Sequence, residues 1–422
     1  MAPSGSLLNR WHCSLPKANP TREVQPTRAE IGAGLENLAK INLAKGWAMR
    51  GRRILFPFVG DSIGGSHISA VELIGELRRR GHEAIAGIHQ ADGPLMDYLS
   101  ESGERFIELP DLALPRDAFR RPLSVAGVIR RSPELKRFLT KNRFEICHTN
   151  DRRMHLAWLM PCRFADVAHV WHQRSLFSSS TTAVPAILAT KVVSISDFAM
   201  ATMPRWIAKR AVLVTNPVDV TTTSAEVRVV RDRILQRADV AEPVAVIAWA
   251  ANFSARKRPS DFIEMADILL KANRDLIFVM LGEAREPQAS EVRSQLRSKA
   301  LGDRVLLMGT QRPIAPWLAA ADLLVVTSSA EAFGRTLVEA MQLGTAVVAA
   351  DDGGHKEIIE DRITGLLVPK EPAAMATAVR ELLDDPEKRT RIENEAMRAV
   401  EGLYSIESHG SAVSAIYDSV KA

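Results

Sequence analysis

The sequence predicts an α/β protein built from two Rossmann-like domains that face each other across a cleft. Short apolar runs of strand length alternate with segments long enough for helices from Arg52 onward. This alternation occurs as two series, separated by a polar, turn-rich stretch at 216–224. The 422 residues, 46% hydrophobic and 25% charged, have the composition of a folded globular chain and the length of two or three domains.

In order, residues 54–59 are a first apolar run, followed by Gly64 and Gly65 and a helical pattern over 69–80 that Gly81 closes. Residues 84–88 resume a strand, and further short runs lie at 106–109, 145–148, 169–171, 192–195 and 212–215. Such runs, separated by helix-length segments, indicate a parallel sheet. The linker is expected at 221–224, after Asn216, Pro217, Val218 and Asp219. The second series places strands at 244–250, 276–281, 305–308, 323–327, 346–349 and 365–368. Residues 406–420 read as a terminal helix.

Residues 1–48 show no clear strand pattern, carry Pro16, Pro20 and Pro26, and lack the apolar core of a signal peptide. They are expected to be a disordered extension, with Met49 as an alternative start to Met1. The expected domains are therefore 49–220 and 221–400, followed by a terminal segment at 401–422.

Cys13, Cys147 and Cys162 are far apart and odd in number, which argues against a disulfide framework or a zinc knuckle and favours a cytoplasmic setting. No window approaches the ~20 unbroken apolar residues of a membrane-spanning helix. Net charge is +5, and residues 116–143 alone carry nine Arg or Lys against Asp117 and Glu134. That stretch is either the solvated face of packed helices or a surface for anionic lipid or phosphorylated glycan. With only Phe119 and Phe138 in it, a stacking platform for nucleic acid is not expected.

Two segments carry the chemistry. In 323–344, a buried strand leads through a loop of small residues into a helix opening near Gly334, with Glu331 in the loop and Glu339 on the helix. Backbone N–H groups at such a helix start suit phosphate or sugar oxygens, and the two carboxylates suit two sets of hydroxyls. A plain helix cap with a solvent-facing glutamate would look alike. In 252–258, Asn252 is followed by Arg256, Lys257 and Arg258 at the end of a strand, where cations can neutralise a diphosphate, or merely form a solvated turn. Gly64 and Gly65 also follow a strand, and His148 to Asp151 and Trp171 to Arg174, which include His172, fall at the ends of strands, at the positions where open α/β sheets bind ligands.

These segments resemble the retaining glycosyltransferases of the GT-B fold, family four (glycosyl transferases group one). The specific element is EAFGRTLVE followed by AMQLGTAVVAADDGGHKEII, supported by GGSHISAVELIGELRRRGHEA, VVSIS, VTNPVD and GLLVP. The resemblance runs from about residue 50 to the C-terminus. It implies an acceptor-side first domain, a second domain for a nucleotide-diphosphate sugar donor, and a C-terminal helix packing back on the first domain. It further implies that Glu331 contacts the donor sugar, Glu339 the ribose, and the backbone of Phe333, Gly334 and Arg335 the sugar or phosphates. Lys257 then binds phosphate, Gly64 and Gly65 lie near the diphosphate, and His172 lines the cleft of sugar and acceptor. Many members have arginine where this chain has Asn252, and Arg256 or Arg258 would supply that charge.

The resemblance also implies retention at the anomeric carbon with no cofactor. The chain contains no Asp-x-Asp, the metal-holding pair of the other main glycosyltransferase fold, so metal independence is expected. A glycan or lipid-linked acceptor, in polysaccharide or lipopolysaccharide assembly at the inner face of a membrane, is the expected setting. Rival readings are a nucleotide-sugar epimerase of the same shape and a non-catalytic scaffold. An NAD(P)-dependent oxidoreductase fits less well: residues 60–65, GDSIGG, do not form Gly-x-Gly-x-x-Gly, and residues 87–90, GIHQ, offer no acid for a ribose.

Overall fold

The computed structural model describes residues 51–112, 125–177, 180–241, 244–272 and 275–420. The first sheet has seven strands: β1 (Arg53–Phe58), β2 (Glu83–Ile88), β3 (Phe106–Glu108), β4 (Ile146–Thr149), β5 (Ala168–Gln173), β6 (Lys191–Ser194) and β7 (Ala211–Leu213). The second has six: β8 (Ala245–Ala250), β9 (Leu276–Leu281), β10 (Val305–Gly309), β11 (Leu323–Val326), β12 (Ala346–Ala350) and β13 (Leu366–Val368). All pairings between these strands are parallel, in the orders β3-β2-β1-β4-β5-β6-β7 and β10-β9-β8-β11-β12-β13.

Helices cover both faces of each sheet, so central strands are apolar throughout: all six residues of β9, LIFVML, are buried. In each sheet the strand order reverses beside the first strand, between β1 and β4 and between β8 and β11. Loops diverge there at the carboxyl ends of the strands, leaving the crevice in which doubly wound sheets hold ligands.

The helix after β1 runs over Gly65–Arg79, four residues earlier than the periodicity predicts. Its first turn, Gly-Ser-His-Ile, has weak helix formers and no apolar repeat, yet the Gly64 carbonyl accepts from His67 N (2.9 Å) and Ile68 N (3.2 Å). At the expected linker, Thr223 instead caps the helix Ser224–Ala238 in a capping box with Glu226, so Ser224 is already helical. The helix Ile406–Asp418 places Val413, Ile416 and Tyr417 in one core with Ile54, Phe56 and Val170 of the first sheet.

The halves are also joined by hydrogen bonds. Val218 N donates to Tyr404 O (2.8 Å), Gln342 Nε2 to Val218 O (2.7 Å), and Ser196 Oγ to Ala332 O. Glu357 accepts from the N–H groups of Asp197 (3.0 Å) and Phe198 (2.6 Å), the free start of the helix Asp197–Ala201.

Residues 1–50, with the expected extension and either start, lie outside the described residues, as do 113–124 of the basic stretch. The rest of that stretch enters the helix Val125–Lys141, which buries Leu135 and Leu139 and exposes Lys136, Arg137 and Lys141. Among the described residues no helix is long and apolar enough to cross a membrane.

Candidate functional site

The crevice between β8 and β11 brings together two residues 74 positions apart: Lys257 Nζ lies 2.5 Å from Glu331 Oε2. Lys257 ends a 3-10 turn at Ala255–Lys257, immediately before the helix Pro259–Lys271, whose Pro opens the first turn. The turn is fastened to the loop after β11. Thr327 Oγ1 accepts from Trp249 Nε1 (2.9 Å) and shares its proton between the carbonyls of Lys257 (2.7 Å) and Arg258 (3.0 Å). Ser329 N donates to Arg256 O (2.9 Å).

Arg256 adds a second cation 3.5 Å from Glu331. Burial alone would raise the Glu331 carboxyl, but Lys257 and Arg256 outweigh it and hold its pKa below the ordinary value. The other two residues of that run point elsewhere. Arg258 is drawn to Lys370 O (2.8 Å) and the Asp261 carboxylate, and Asn252 Oδ1 accepts from Glu283 N (3.1 Å), bracing the loop after β9.

Beneath Glu331 lies the turn at Gly353 and Gly354. Gly353 has φ +62, and a Cβ there would stand 2.7 Å from both the N and O of Glu331, so only glycine lets the two loops meet. Gly354 N donates to Glu331 O (2.8 Å), and Asp352 accepts from Ala330 N (3.1 Å). The Phe333 side chain is core, packed edge-on to Tyr404.

The helix Arg335–Gln342 starts at Gly334, φ +112, which offers no side-chain cap, and no acid occupies the first turn. Arg335 Nε donates to Glu339 (2.8 Å), while its other nitrogens reach the first domain: Glu72 (2.8 and 3.1 Å), Ser69 Oγ (2.8 Å) and Pro217 O (2.9 Å). Burial would lower the Arg335 pKa, but Glu339 and Glu72 more than compensate and raise it. A Cβ on Gly65 would touch Arg335 Cδ at 3.5 Å, whereas Gly64 has nothing within 4 Å.

In the first domain, His172 at the end of β5 is fully buried and its Nδ1 lies 3.0 Å from His148 Nε2; His148 Nδ1 in turn meets Tyr417 Oη at 2.5 Å. Burial, then the charge of Arg174, keeps His172 neutral, its pKa well below that of a free imidazole. Arg174 is buried with only amide partners: Nε donates to Asn150 Oδ1 (2.7 Å) and Nη1 to Asn216 Oδ1. Burial lowers its pKa to about 9.

The structure thus brings Arg256, Lys257 and Glu331 into one group, and Gly65, Arg335 and Glu339 into a second. Gly64 opens onto free space, His172 lies in the first-domain interior, and Asn252 stands apart from the Lys257–Glu331 pair. Sequence reasoning placed Arg174 at a strand end where ligands bind but gave it no role of its own, and it missed Glu72 and Glu357, each of which reads as an ordinary polar surface residue. Among the described residues no group of three or more His, Cys, Asp or Glu is placed to hold a metal ion.

Solved structures show the same architecture. The structure of HepE from Anabaena in complex with UDP and glucose superposes with a TM-score of 0.75 over 87% of this chain and 100% of HepE, at 20% identity. The fold is that of the GT-B glycosyltransferases. Residues 230–399 match the model of the family glycosyl transferases group 1, a span that includes Lys257, Glu331 and Glu339. An alpha-D-kanosaminyltransferase of Streptomyces kanamyceticus is 31% identical over 175 residues, 41% of this chain and 45% of the relative. A lipopolysaccharide core biosynthesis mannosyltransferase, LpsB of Rhizobium meliloti, is 29% identical over 165 residues, 38% of this chain and 47% of the relative. The chain spans about half the length of these curated relatives.

Proposed function

We propose that this chain is a retaining, metal-independent glycosyltransferase that moves a hexose-type sugar from a nucleotide-diphosphate donor to a glycan or lipid-linked acceptor. The Lys257–Glu331 pair at the β8–β11 crevice, inside the stretch that matches glycosyl transferases group 1, is the observation that carries this reading. A lysine already paired in a partly buried site is a preorganised countercharge for a leaving diphosphate. With donor bound, Lys257 and Arg256 take the phosphates, and Glu331, released from the lysine, accepts from sugar hydroxyls. Glu339 accepts from the ribose, and the backbone N–H groups at Gly334 and Arg335 meet phosphate or sugar oxygens. Asn252 acts on this site through the loop it braces.

Gly64 supports a donor on this side. Its φ of −161 is open to any residue and its Cβ space is free, so nothing in the fold itself demands glycine. The acceptor oxygen attacks the anomeric carbon on the face from which phosphate departs. The bond to the phosphate oxygen breaks, that oxygen takes the acceptor proton, and the nucleoside diphosphate leaves. His172 lines the cleft on the acceptor side.

Polysaccharide or lipopolysaccharide assembly at the cytoplasmic face of a membrane is the setting we assign. The exposed cations Lys136, Arg137 and Lys141 and the exposed apolar side chains Val184, Ile187 and Trp206 lie on helices covering one face of the first sheet, with exposed Leu188 in the turn that follows Ile187, and suit an anionic bilayer surface.

Thermal shift across nucleoside diphosphates, nucleotide sugars and NAD(P) tests the reading on wild type, Lys257→Ala and Glu339→Ala. Stabilisation by one nucleotide or its sugar, lost in both variants, is expected. A response to NAD(P) alone, or to nothing, would replace it with the oxidoreductase or scaffold reading. Release of free nucleotide rather than an isomerised nucleotide sugar separates transferase from epimerase, and activity is expected to survive chelator.

A further inference from the structure

One buried cation of the first domain is not used by the donor site. Arg174 is buried, and no carboxylate hydrogen-bonds it: its two partners are the side-chain amides of Asn150 and Asn216, and Nη2 has none. Glu72 lies within electrostatic reach, but both its oxygens are engaged by Arg335. A buried guanidinium normally has a hydrogen-bonded counterion, because desolvation of a charge is otherwise uncompensated.

Two more buried nitrogens in this cluster lack partners, His172 Nε2 and His409 Nε2, on rings 5.8 Å apart and 25° from parallel. Their protonation follows from what the other ring atoms touch. With the Tyr417 hydroxyl, whose partner is His148 Nδ1, assigned as the donor of that bond, His148 Nε2–H donates to His172 Nδ1, and His172 Nε2 is left with a proton to give. His409 Nδ1 donates to Thr215 O (2.7 Å), so His409 Nε2 is a bare acceptor. The cluster therefore presents two donors, one of them cationic, and one acceptor.

We propose that Arg174, His172 and His409 form a binding site for a phosphate group carried by the acceptor, distinct from the donor diphosphate at Lys257. Phosphate oxygens accept from Arg174 Nη2 and His172 Nε2, and a P–OH donates to His409 Nε2. Sulfate, which has no proton to donate at neutral pH, satisfies only part of this set. The site is buried and Glu72 and Arg335 are both close enough to act on the charge of Arg174, so phosphate enters as the domains part and takes the place of Glu72 as the countercharge of Arg174. Assigning the phosphate to the acceptor rests on the glycosyltransferase reading; the phosphate site itself does not.

Isothermal titration of the full chain with inorganic phosphate tests it, using wild type, Arg174→Gln, Arg174→Lys and Lys257→Ala, with sulfate as the contrasting anion. Saturable phosphate binding is expected, at least tenfold tighter than sulfate, weakened at least tenfold in Arg174→Gln and unchanged in Lys257→Ala. Arg174→Lys keeps the charge without the fork; it is expected to bind measurably but less tightly, and it serves alone if Arg174→Gln fails to fold. No saturable binding, equal affinity for sulfate, or loss only in Lys257→Ala overturns the site. Repeating the titration in a saturating concentration of the nucleoside diphosphate identified by thermal shift, with UDP tried first, identifies the phosphate's source. Unchanged affinity is expected for an acceptor site, and competition would assign Arg174 to the donor and overturn the proposal. If no nucleoside diphosphate binds, the donor reading fails while the phosphate result on Arg174 stands on its own.

Discussion

Arg335 and Glu72, 263 residues apart, form a two-pronged ion pair (2.8 and 3.1 Å) between the second domain and the first. The same guanidinium holds Glu339 at 2.8 Å, so contact between the domains and the orientation of a donor-site carboxylate depend on one side chain.

Removing either partner leaves the other partly buried charge unmatched, so Arg335→Ala and Glu72→Ala are each expected to lower unfolding stability by on the order of 3 kcal/mol. The double variant is expected to lose less than the sum, with a coupling of about 1–3 kcal/mol in denaturant titrations. Strict additivity would mean that the pair does not form in solution.

The glycines of the site separate fold from function. Gly353→Ala forces a Cβ to within 2.7 Å of the Glu331 backbone at φ +62, and a loss of about 1–3 kcal/mol in thermal unfolding is expected. Gly64→Ala meets no atom within 4 Å, so its melting temperature is expected to match wild type while transferase activity falls. Unimpaired activity in Gly64→Ala would remove the first-domain glycine from the donor site.

Lys257→Ala is expected to reduce turnover on the order of 10²-fold, the usual effect of losing one preorganised charge at a developing anion. It leaves Glu331 with Arg256 at 3.5 Å as its nearest cation. Steady-state kinetics with the donor identified by thermal shift checks this, and wild-type turnover would exclude the lysine from chemistry.

Acid should unfold this protein steeply. Burial lowers the pKa of His89 to about 4 and of His169 and His409 to about 3, from 6.5 in an exposed imidazole. The unfolded chain therefore binds protons that the folded chain refuses, and stability drops as pH falls below 6.5, continuing to about 3. Near pH 5 the three together give a slope of up to about 4 kcal/mol per pH unit. Glu331, held below its ordinary pKa, adds to the loss only below about pH 4.5. Urea titrations at pH 7, 6 and 5 measure this, and His409→Gln should flatten the slope by about 1.4 kcal/mol per unit. A flat profile would contradict the burial of these rings.

The strands were legible because a parallel sheet covered on both faces imposes unbroken apolar runs such as LIFVML, which need no tertiary information to recognise. Lys257 and Glu331 were legible for a related reason, since each follows a strand whose end could be placed. Glu72 was not. It lies on an amphipathic helix between Val71 and Leu73, where a glutamate reads as solvent-facing until the second domain supplies Arg335. The place of Arg174 past the end of β5 was legible, but its pairing was not, because its amide partners come from the ends of two other strands, Asn150 after β4 and Asn216 beyond β7. The early start of the helix at Gly65 escaped because Gly, Ser and His carry no periodic signal.

The position of the helix Ile406–Asp418 sets an order of assembly during synthesis. The first sheet is translated first, but its core lacks Val413, Ile416 and Tyr417 until the second domain has also been translated. The second sheet, with all its strands and most of its core between 224 and 400, is complete earlier. On the ribosome the later domain can therefore reach its native state before the earlier one, which waits unsealed until the helix Ile406–Asp418 has emerged from the exit tunnel.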